Sequence, residues 1–528
     1  MAKDQKNIDY PLWLSLIFYW LLTFVLLFVA VKNTNGHFGY PLDDTYIHMA
    51  IGKHFVRDGI WGVALNGFSS STSSPLWTFL IFVIYKFFGV NDWAPLALSL
   101  IFGSILICFC SYVLRNYSKL IRLPLLLLLI LFIPLPVLTL TGMEHTLHSL
   151  LTLLVIYYAA TYLTKKDADT ALFIMLVILA NLTTITRYEG LLLVFSVMLL
   201  FIIKKRYWEG ALFGISSSSL VIVYGLMSLA NGWSFLPNSI LLKGNTPPIT
   251  LAGLSVFVNR IFVNFYSSPH ISVLIIACLG IYLWGGKKLE NKEKNLVILV
   301  TLITVLHMQF AAVGWFFRYE AYLMSSLGLV LLDTLNKLSC QEETINKKTA
   351  GPVVCLALLI IMCIPLTMRS RLAHKQYPIA VKNIFEQHYQ MGLFIQNYYS
   401  GRYVAANDIG AINYLSNIYI LDLFGLANRD VAYYRLNDLF DEEILEQQVS
   451  SHGVPLIMIY NSWFAGIIPE NWIEIGRWKI SDNVVCGSDQ VSFYATNDVD
   501  KQELINNLID FSNKLPPSVD QSGIYLSP

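Results

Sequence analysis

Long apolar runs recur from Pro11 to about residue 367, and they fix the solvent in which this chain folds. A run of about 20 apolar residues can close its own backbone hydrogen bonds as a helix and cross the ~30 Å hydrocarbon core of a bilayer. Hydrophobic residues make up 55% of the chain and charged residues only 13%, about half the globular norm, so the class is a polytopic membrane protein. A net charge of +1 argues against a nucleic-acid partner and leaves the local placement of charge as the informative quantity. The first run, Pro11 to Lys32, is too long for a secretory signal and lacks its small-residue cleavage site, so it reads as a retained helix. Of seven cysteines only Cys486 falls in the polar C-terminal region, which leaves no disulfide within that region.

Runs of spanning character lie near 11–32, 93–114, 121–139, 144–164, 170–186, 188–204, 208–230, 271–286, 295–313, 319–336 and 349–367, about eleven helices in all. Pro75 to Gly89 reaches only ~22 Å as a helix and is read as interfacial. With that run left out, Lys3, Lys6, Arg115, Lys119, Arg122, Lys165, Lys166, Lys204, Lys205, Arg206, Lys287, Lys288, Lys292, Lys294, Lys337, Lys347 and Lys348 fall on one side, the cytoplasm by the positive-inside rule. The odd count puts the C-terminal region outside, together with the loop after the first span.

Beyond residue 368 charged and amide residues rise, and β-like runs (Tyr403 to Ala406, Ile418 to Leu423, Leu456 to Tyr460, Val491 to Ala495) alternate with helical stretches. The expected organisation is therefore an all-α membrane domain over 1–367 with its first outer loop at 33–92, an external α/β domain over 368–513, and a loose tail over 514–528.

Adjacent aspartates, Asp43 and Asp44, open the outer loop. Two carboxylates side by side at a membrane boundary repel each other and lose hydration, so they suit a general base or half of a metal site. Residues 43–57 have the spacing of an amphipathic helix lying on the membrane, with Asp44 and His48 four apart. One aspartate would suffice as a helix cap; the second needs another reason. Ser69 to Ser74 then leads into Ser74-Pro75, a helix start, and is either a sugar or phosphate contact or a solvated loop.

The order of a short first helix, Asp43-Asp44, an amphipathic helix, a small-polar run and Ser74-Pro75-Leu76-Trp77 resembles the first outer loop of the GT-C superfamily of polyprenyl-phosphate-sugar-dependent glycosyltransferases. Within it, the chain is most similar to the branch of mycobacterial terminal arabinofuranosyltransferases and bacterial pilin arabinosyltransferases. Thr141-Gly142-Met143-Glu144, Thr186-Arg187-Tyr188-Glu189-Gly190, Leu236-Pro237-Asn238 with Lys243, Arg318-Tyr319, Asn407-Asp408-Ile409-Gly410 and Asp422 to Ala427 carry the further likeness. Met143 departs from the usual leucine. The resemblance implies an inverting transfer of a sugar, arabinofuranose in that branch, from a polyprenyl phosphate to an envelope glycan, glycolipid or glycoprotein in the bacterial plasma membrane, with Asp43 as the base.

The expected outer side also collects Glu144, His145, His148, Arg187, Glu189, Lys243, Arg260 and Arg318. Each alone reads equally as an interfacial anchor; together they suit an anionic lipid headgroup carrying a sugar. Arg187, Lys243 and Arg318 are the expected phosphate ligands, with Glu144, Glu189 and His48 beside the sugar. A divalent cation on Asp44, with His145 as a further ligand, is one option. The alternative function, a transporter or flippase of a lipid-linked sugar, would place its polar residues near the midplane, where this chain has little besides apolar side chains.

Overall fold

The computed structural model describes residues 9–526 apart from 166, 168, 245–249 and 343–350. Lys3, Lys6, Lys166, Lys347 and Lys348 of the expected charge pattern, and the start of the run from 349, lie outside the described residues. The chain is mostly helical and gathers into two compact units interleaved in sequence: Met1–Leu26, Leu96–Val221 and Asn245–Lys375 in the first, Leu27–Pro95, Ile222–Gly244 and Gln376–Pro528 in the second. Residues 33–92, expected with the membrane domain, thus gather with the C-terminal region.

Among the described residues, Tyr10–Asn33, Ala94–Asn116 and Asn291–Phe310 are long and apolar enough to cross a membrane. Two bent pairs raise the number to five if each is one span: Tyr207–Ser217 with Ser219–Ala230, bent by 42°, and Gly253–Ser267 with Pro269–Gly285, bent by 96°. The chain is a multi-pass membrane protein by these helices, whose outward faces carry exposed Ile17, Leu21, Phe28 and Ile101 that water would not tolerate as a group. Thr170–Thr186 (17 residues) and Gly190–Ile203 (14 residues) are apolar but shorter, about 26 Å and 21 Å.

The second unit holds a six-stranded sheet in the order β2-β1-β3-β5-β4-β6. Strands β1 (Tyr403–Ala406), β2 (Tyr419–Asp422) and β3 (Ile457–Ile459) pair in parallel around β1, and β3 runs antiparallel to β5 (Gln490–Ala495), β5 to β4 (Ile473–Lys479). Near-continuous apolar runs such as Ile457–Ile459 are what strands covered on both faces require. The tail expected to be loose is packed. Asp520–Ser522 forms β6 along β4, and the buried Tyr525 ring fills the space over Gly476, where a Cβ would lie 2.4 Å from it. Three residues are too few to show alternation in sequence, and Tyr525 alone signals the packing.

The Asp43–Asp58 helix leaves no open apolar stripe of the kind expected: Thr45 to His54 are all buried, packed between the Pro75–Phe88 and Gly410–Leu415 helices. Gly52 permits the first of these contacts, since a Cβ there would stand 3.2 Å from Ile81 Cγ2. The Ser69–Ser74 run is also buried, apart from Ser73, and its hydroxyls turn inward. Ser69 Oγ meets Ser71 Oγ at 3.0 Å and Thr72 Oγ1 meets Thr78 Oγ1 at 2.8 Å, so this run is not a solvated loop.

Candidate functional site

The two aspartates in the first turn of the Asp43–Asp58 helix have different partners. Leu42 occupies the N-cap without a side-chain bond, so neither carboxylate is committed there. Asp43 instead caps the Gly410–Leu415 helix: Gly410 N donates to Oδ2 at 2.7 Å and Ala411 N to Oδ1 at 2.8 Å. A Cβ on residue 410 would fall 2.1 Å from the Asp43 carbonyl oxygen, which explains the glycine of Asn407-Asp408-Ile409-Gly410. At the other end of the same short helix, the Lys53 ammonium donates to the carbonyls of Asn413, Tyr414 and Ser416, each at 2.8 Å. An anion at the amino end and a cation at the carboxyl end satisfy orphan backbone groups and oppose the helix dipole correctly. One helix thereby clamps the other at both ends.

His388 faces Asp43 from a π-helical turn, Phe385–Tyr389, a type of distortion frequent at functional sites. Its Nδ1 is 3.1 Å from Asp43 Oδ1, and its Nε2 is 3.5 Å from Asp408 Oδ2 and 2.7 Å from the Tyr460 hydroxyl. Tyr460 donates its own proton to Gln387 Oε1 at 2.7 Å, so it accepts from Nε2. Nε2 therefore donates to Tyr460 while Nδ1 stands at ion-pair distance from a carboxylate, surroundings that favour an imidazolium. Burial opposes that charge, but Cys486, Asp408 and Asp43 around it hold the His388 pKa well above the ordinary imidazole value. Burial pushes Asp408 above the usual carboxylate value, with His388 pulling it down and Asp43 pushing it up. Asp43 is thus a preoriented carboxylate: each oxygen accepts one backbone amide, and His388 stands at ion-pair distance from Oδ1.

Asp44 is the more exposed of the pair, 26% against 12%, and its Oδ1 lies 3.4 Å from Lys243 Nζ, itself 39% exposed. His48, expected beside the ligand, is instead 1% exposed, with Nδ1 at 2.8 Å from Thr78 Oγ1 and 3.2 Å from Thr72 Oγ1. It joins the Asp43 helix to the start of the next.

Glu144, His145, Arg187, Glu189 and Arg318 belong to the first unit. Arg187 makes a fork with Glu189 (Nη2 to Oε1 2.6 Å, Nε to Oε2 3.1 Å) and a further bond from Nη1 to Glu144 Oε1 at 2.6 Å. Its charge is already matched by two carboxylates, Glu144 buried and Glu189 partly so. Arg187 and Arg318 both stack on Tyr319, at 5.4 Å and 5.0 Å from its centroid, and Arg318 also contacts Met143. His145 Nε2 is 3.8 Å from Glu144 Oε1. Asp44 and His145 fall in different units, and among the described residues no three His, Cys, Asp or Glu side chains are gathered to hold a metal ion. Sequence reasoning missed His388, Arg369 and Glu320; the last two pair at 2.8 Å. Glu320 follows Arg318-Tyr319 directly, whereas nothing in the stretch around His388 marks it.

A family model described as a domain of unknown function (DUF8728) matches residues 382–494, the segment holding His388, Asp408, Gly410, Tyr460 and Cys486. No curated protein matches the chain. The fold is similar to the crystal structure of ArnT from Cupriavidus metallidurans bound to undecaprenyl phosphate, with a TM-score of 0.51 and 13% identity over 92% of this chain and 98% of that one. The apo state of the same protein gives 0.50 at 13% identity, again over 92% and 98%. The oligosaccharyltransferase of Archaeoglobus fulgidus in complex with Zn and sulfate gives 0.46 at 10% identity, over 94% of this chain and 74% of that one.

Proposed function

We propose that the chain is a polyprenyl-phosphate-dependent membrane glycosyltransferase of the GT-C superfamily. It moves a sugar, arabinofuranose by the resemblance, to a hydroxyl of an envelope glycan, glycolipid or glycoprotein with inversion. The observation that carries the reading is the split between the aspartates: Asp43 fixed by two amides and His388, Asp44 exposed beside Lys243. A base must be held in one orientation and keep a lone pair for the incoming proton; Oδ2 of Asp43, with its single amide donor, meets both needs. As the acceptor oxygen bonds to the anomeric carbon, its proton passes to Asp43 and the anomeric carbon–phosphate oxygen bond breaks. The polyprenyl phosphate leaves with that electron pair. Lys243 turns from Asp44 to the departing phosphate, a charge-assisted contact that an exposed ammonium can make at small cost. Arg187 and Arg318, with Glu144 and Glu189, form the second proposed donor-binding group, in the first unit. The fold likeness to a protein solved with undecaprenyl phosphate supports a polyprenyl carrier. The enzyme sits in the bacterial plasma membrane with its C-terminal region outside.

Purified protein in nanodiscs, supplied with polyprenyl-phosphate arabinofuranose and a soluble arabinan acceptor, should extend the acceptor by one residue of inverted anomeric configuration. No extension with this donor or with any other pentose or hexose donor on the same carrier would sink the reading.

A further inference from the structure

A cavity of about 400 Å³ in the second unit shares no residue with the Asp43–His388–Asp408 group or with Asp44 and Lys243. Three segments build it: the outer loop from Ala64 to Ser69, the turn at Asn231 to Trp233, and Ala427 to Asp430. They are tied to one another and to the sheet. Leu65 N donates to Ile418 O at 3.2 Å and Asn66 Oδ1 accepts from Ile420 N at 2.8 Å; Arg429 Nη1 donates to Gly232 O at 3.1 Å; Asn238, just beyond, bonds both Ser70 O and Gly425 O at 2.8 Å. A volume in the range of small-molecule sites, about 300–1,000 Å³, with walls bonded in place, is a preformed pocket rather than a crease between loops.

Its lining decides the ligand class. Trp233 and Phe68 pack edge to face, with centroids 6.4 Å apart, and supply apolar ring surface. Asn66, Asn231, Arg429 and Asp430 add planar polar groups with both donors and acceptors. The single cation and single anion, Arg429 and Asp430, lie 3.4 Å apart, so the lining has no net charge for a phosphate or a carboxylate. Flat apolar surface beside paired donors and acceptors matches a pyranose or furanose ring, which shows C–H faces and a rim of hydroxyls. We infer that this pocket is a carbohydrate subsite that holds the acceptor glycan away from the reacting hydroxyl. The inference rests on the sugar-transfer reading for its role, though not for its ligand.

The full chain in donor-free nanodiscs, titrated with soluble arabinan, galactan and mannan hexasaccharides, tests it by calorimetry and saturation-transfer NMR. At least one glycan should bind, and Trp233→Ala and Asp430→Ala should each weaken it by about tenfold, while Trp233→Phe retains most of the affinity. Hydrogen exchange across residues 404–423, unchanged in the variants, shows that the sheet is intact. No binding of any hexasaccharide overturns the inference, as does binding that ignores both alanine variants. So does a pocket that instead takes anionic vesicles or a serine-rich peptide in a Trp233-dependent way. Transfer of sugar to a short alcohol acceptor is measured alongside. Loss of that transfer with glycan binding intact counts against the transferase reading alone, and transfer without glycan binding counts against the subsite alone.

Discussion

An amide at position 43 would turn its NH2 toward an N–H from which the carboxylate now accepts, whereas an amide at position 44 meets an exposed lysine that can swing away. Asp43→Asn should therefore lower stability by about 1–3 kcal/mol and transfer by on the order of a hundredfold, and Asp44→Asn should leave stability within about 0.5 kcal/mol. Turnover measured at a temperature where melting curves show both variants fully folded separates the two effects. If Asp43 only anchors the Gly410 helix, its activity at that temperature returns to near the wild-type value. The cations divide in the same way. Lys243→Ala should weaken donor binding by about 1.5–3 kcal/mol, about ten- to a hundredfold, with an unchanged melting curve. Arg187→Ala leaves the buried Glu144 and the partly buried Glu189 without their partner and should cost about 3–5 kcal/mol of stability. Donor affinity and melting temperature for both variants check this, and a stable Arg187→Ala protein would contradict the ion network. At this scale the aspartate pair was legible because two adjacent carboxylates beside an apolar span are conspicuous. Their partners were not, since Gly410 and His388 meet Asp43 across more than three hundred residues of chain.

The Gly410–Leu415 helix is six residues long, too short to stand alone, so its order depends on the charges brought to its ends. Lys53→Met keeps the bulk of the side chain but leaves three carbonyls without their donor; hydrogen exchange at residues 410–417 should rise about ten- to a hundredfold while β5 stays protected. Equal protection in both proteins would show that Lys53 adds nothing to the clamp. The π-helical turn adds a pH dependence with a definite sign. His388 is held above the ordinary value of about 6.5, so between that pH and its folded value the native chain keeps a proton that the unfolded chain has released. Its stabilisation is complete below about 6.5 and is lost as pH rises through the folded value. Melting temperatures of the full chain from pH 6.5 upward should fall more steeply for wild type than for His388→Gln; parallel curves would mean that the imidazolium is absent. Sequence reading found strands β1, β2, β3 and β5 from short β-like apolar and aromatic runs. It misplaced the Asp43 helix because spacing shows one apolar stripe and cannot show that the polar side, with Thr45, His48 and Lys53, is also covered.

For the whole molecule, the polytopic class was legible because apolar composition follows directly from the solvent, but the number of crossings was not, since several helices are shorter than a bilayer core is thick. Topology then rests on charge. The Pro75–Phe88 helix has 14 residues, about 21 Å, with Phe87 and Phe88 exposed at its end and Gly89 beyond it, which suits an interfacial element better than a crossing. If it does not cross, Arg115 and Lys119 lie on the cytoplasmic side together with Arg206 and Lys288; if it does, most of these clusters move outside, against the positive-inside rule. The helix Gly351–Ile384 continues past Ser370, so a C-terminal reporter belongs after Ser400, in the turn before β1, where it leaves that helix whole. A reporter active only outside the membrane should work when fused after Ser400. One active only in the cytoplasm should work when inserted after Tyr117, between the Leu114–Asn116 turn and the Lys119–Phe132 helix. An external position for Tyr117 would mean that the Pro75 helix crosses after all. An internal position for Ser400 would put His388 and Asp408 on the cytoplasmic side, where an acceptor on the outer face of the envelope could not reach Asp43.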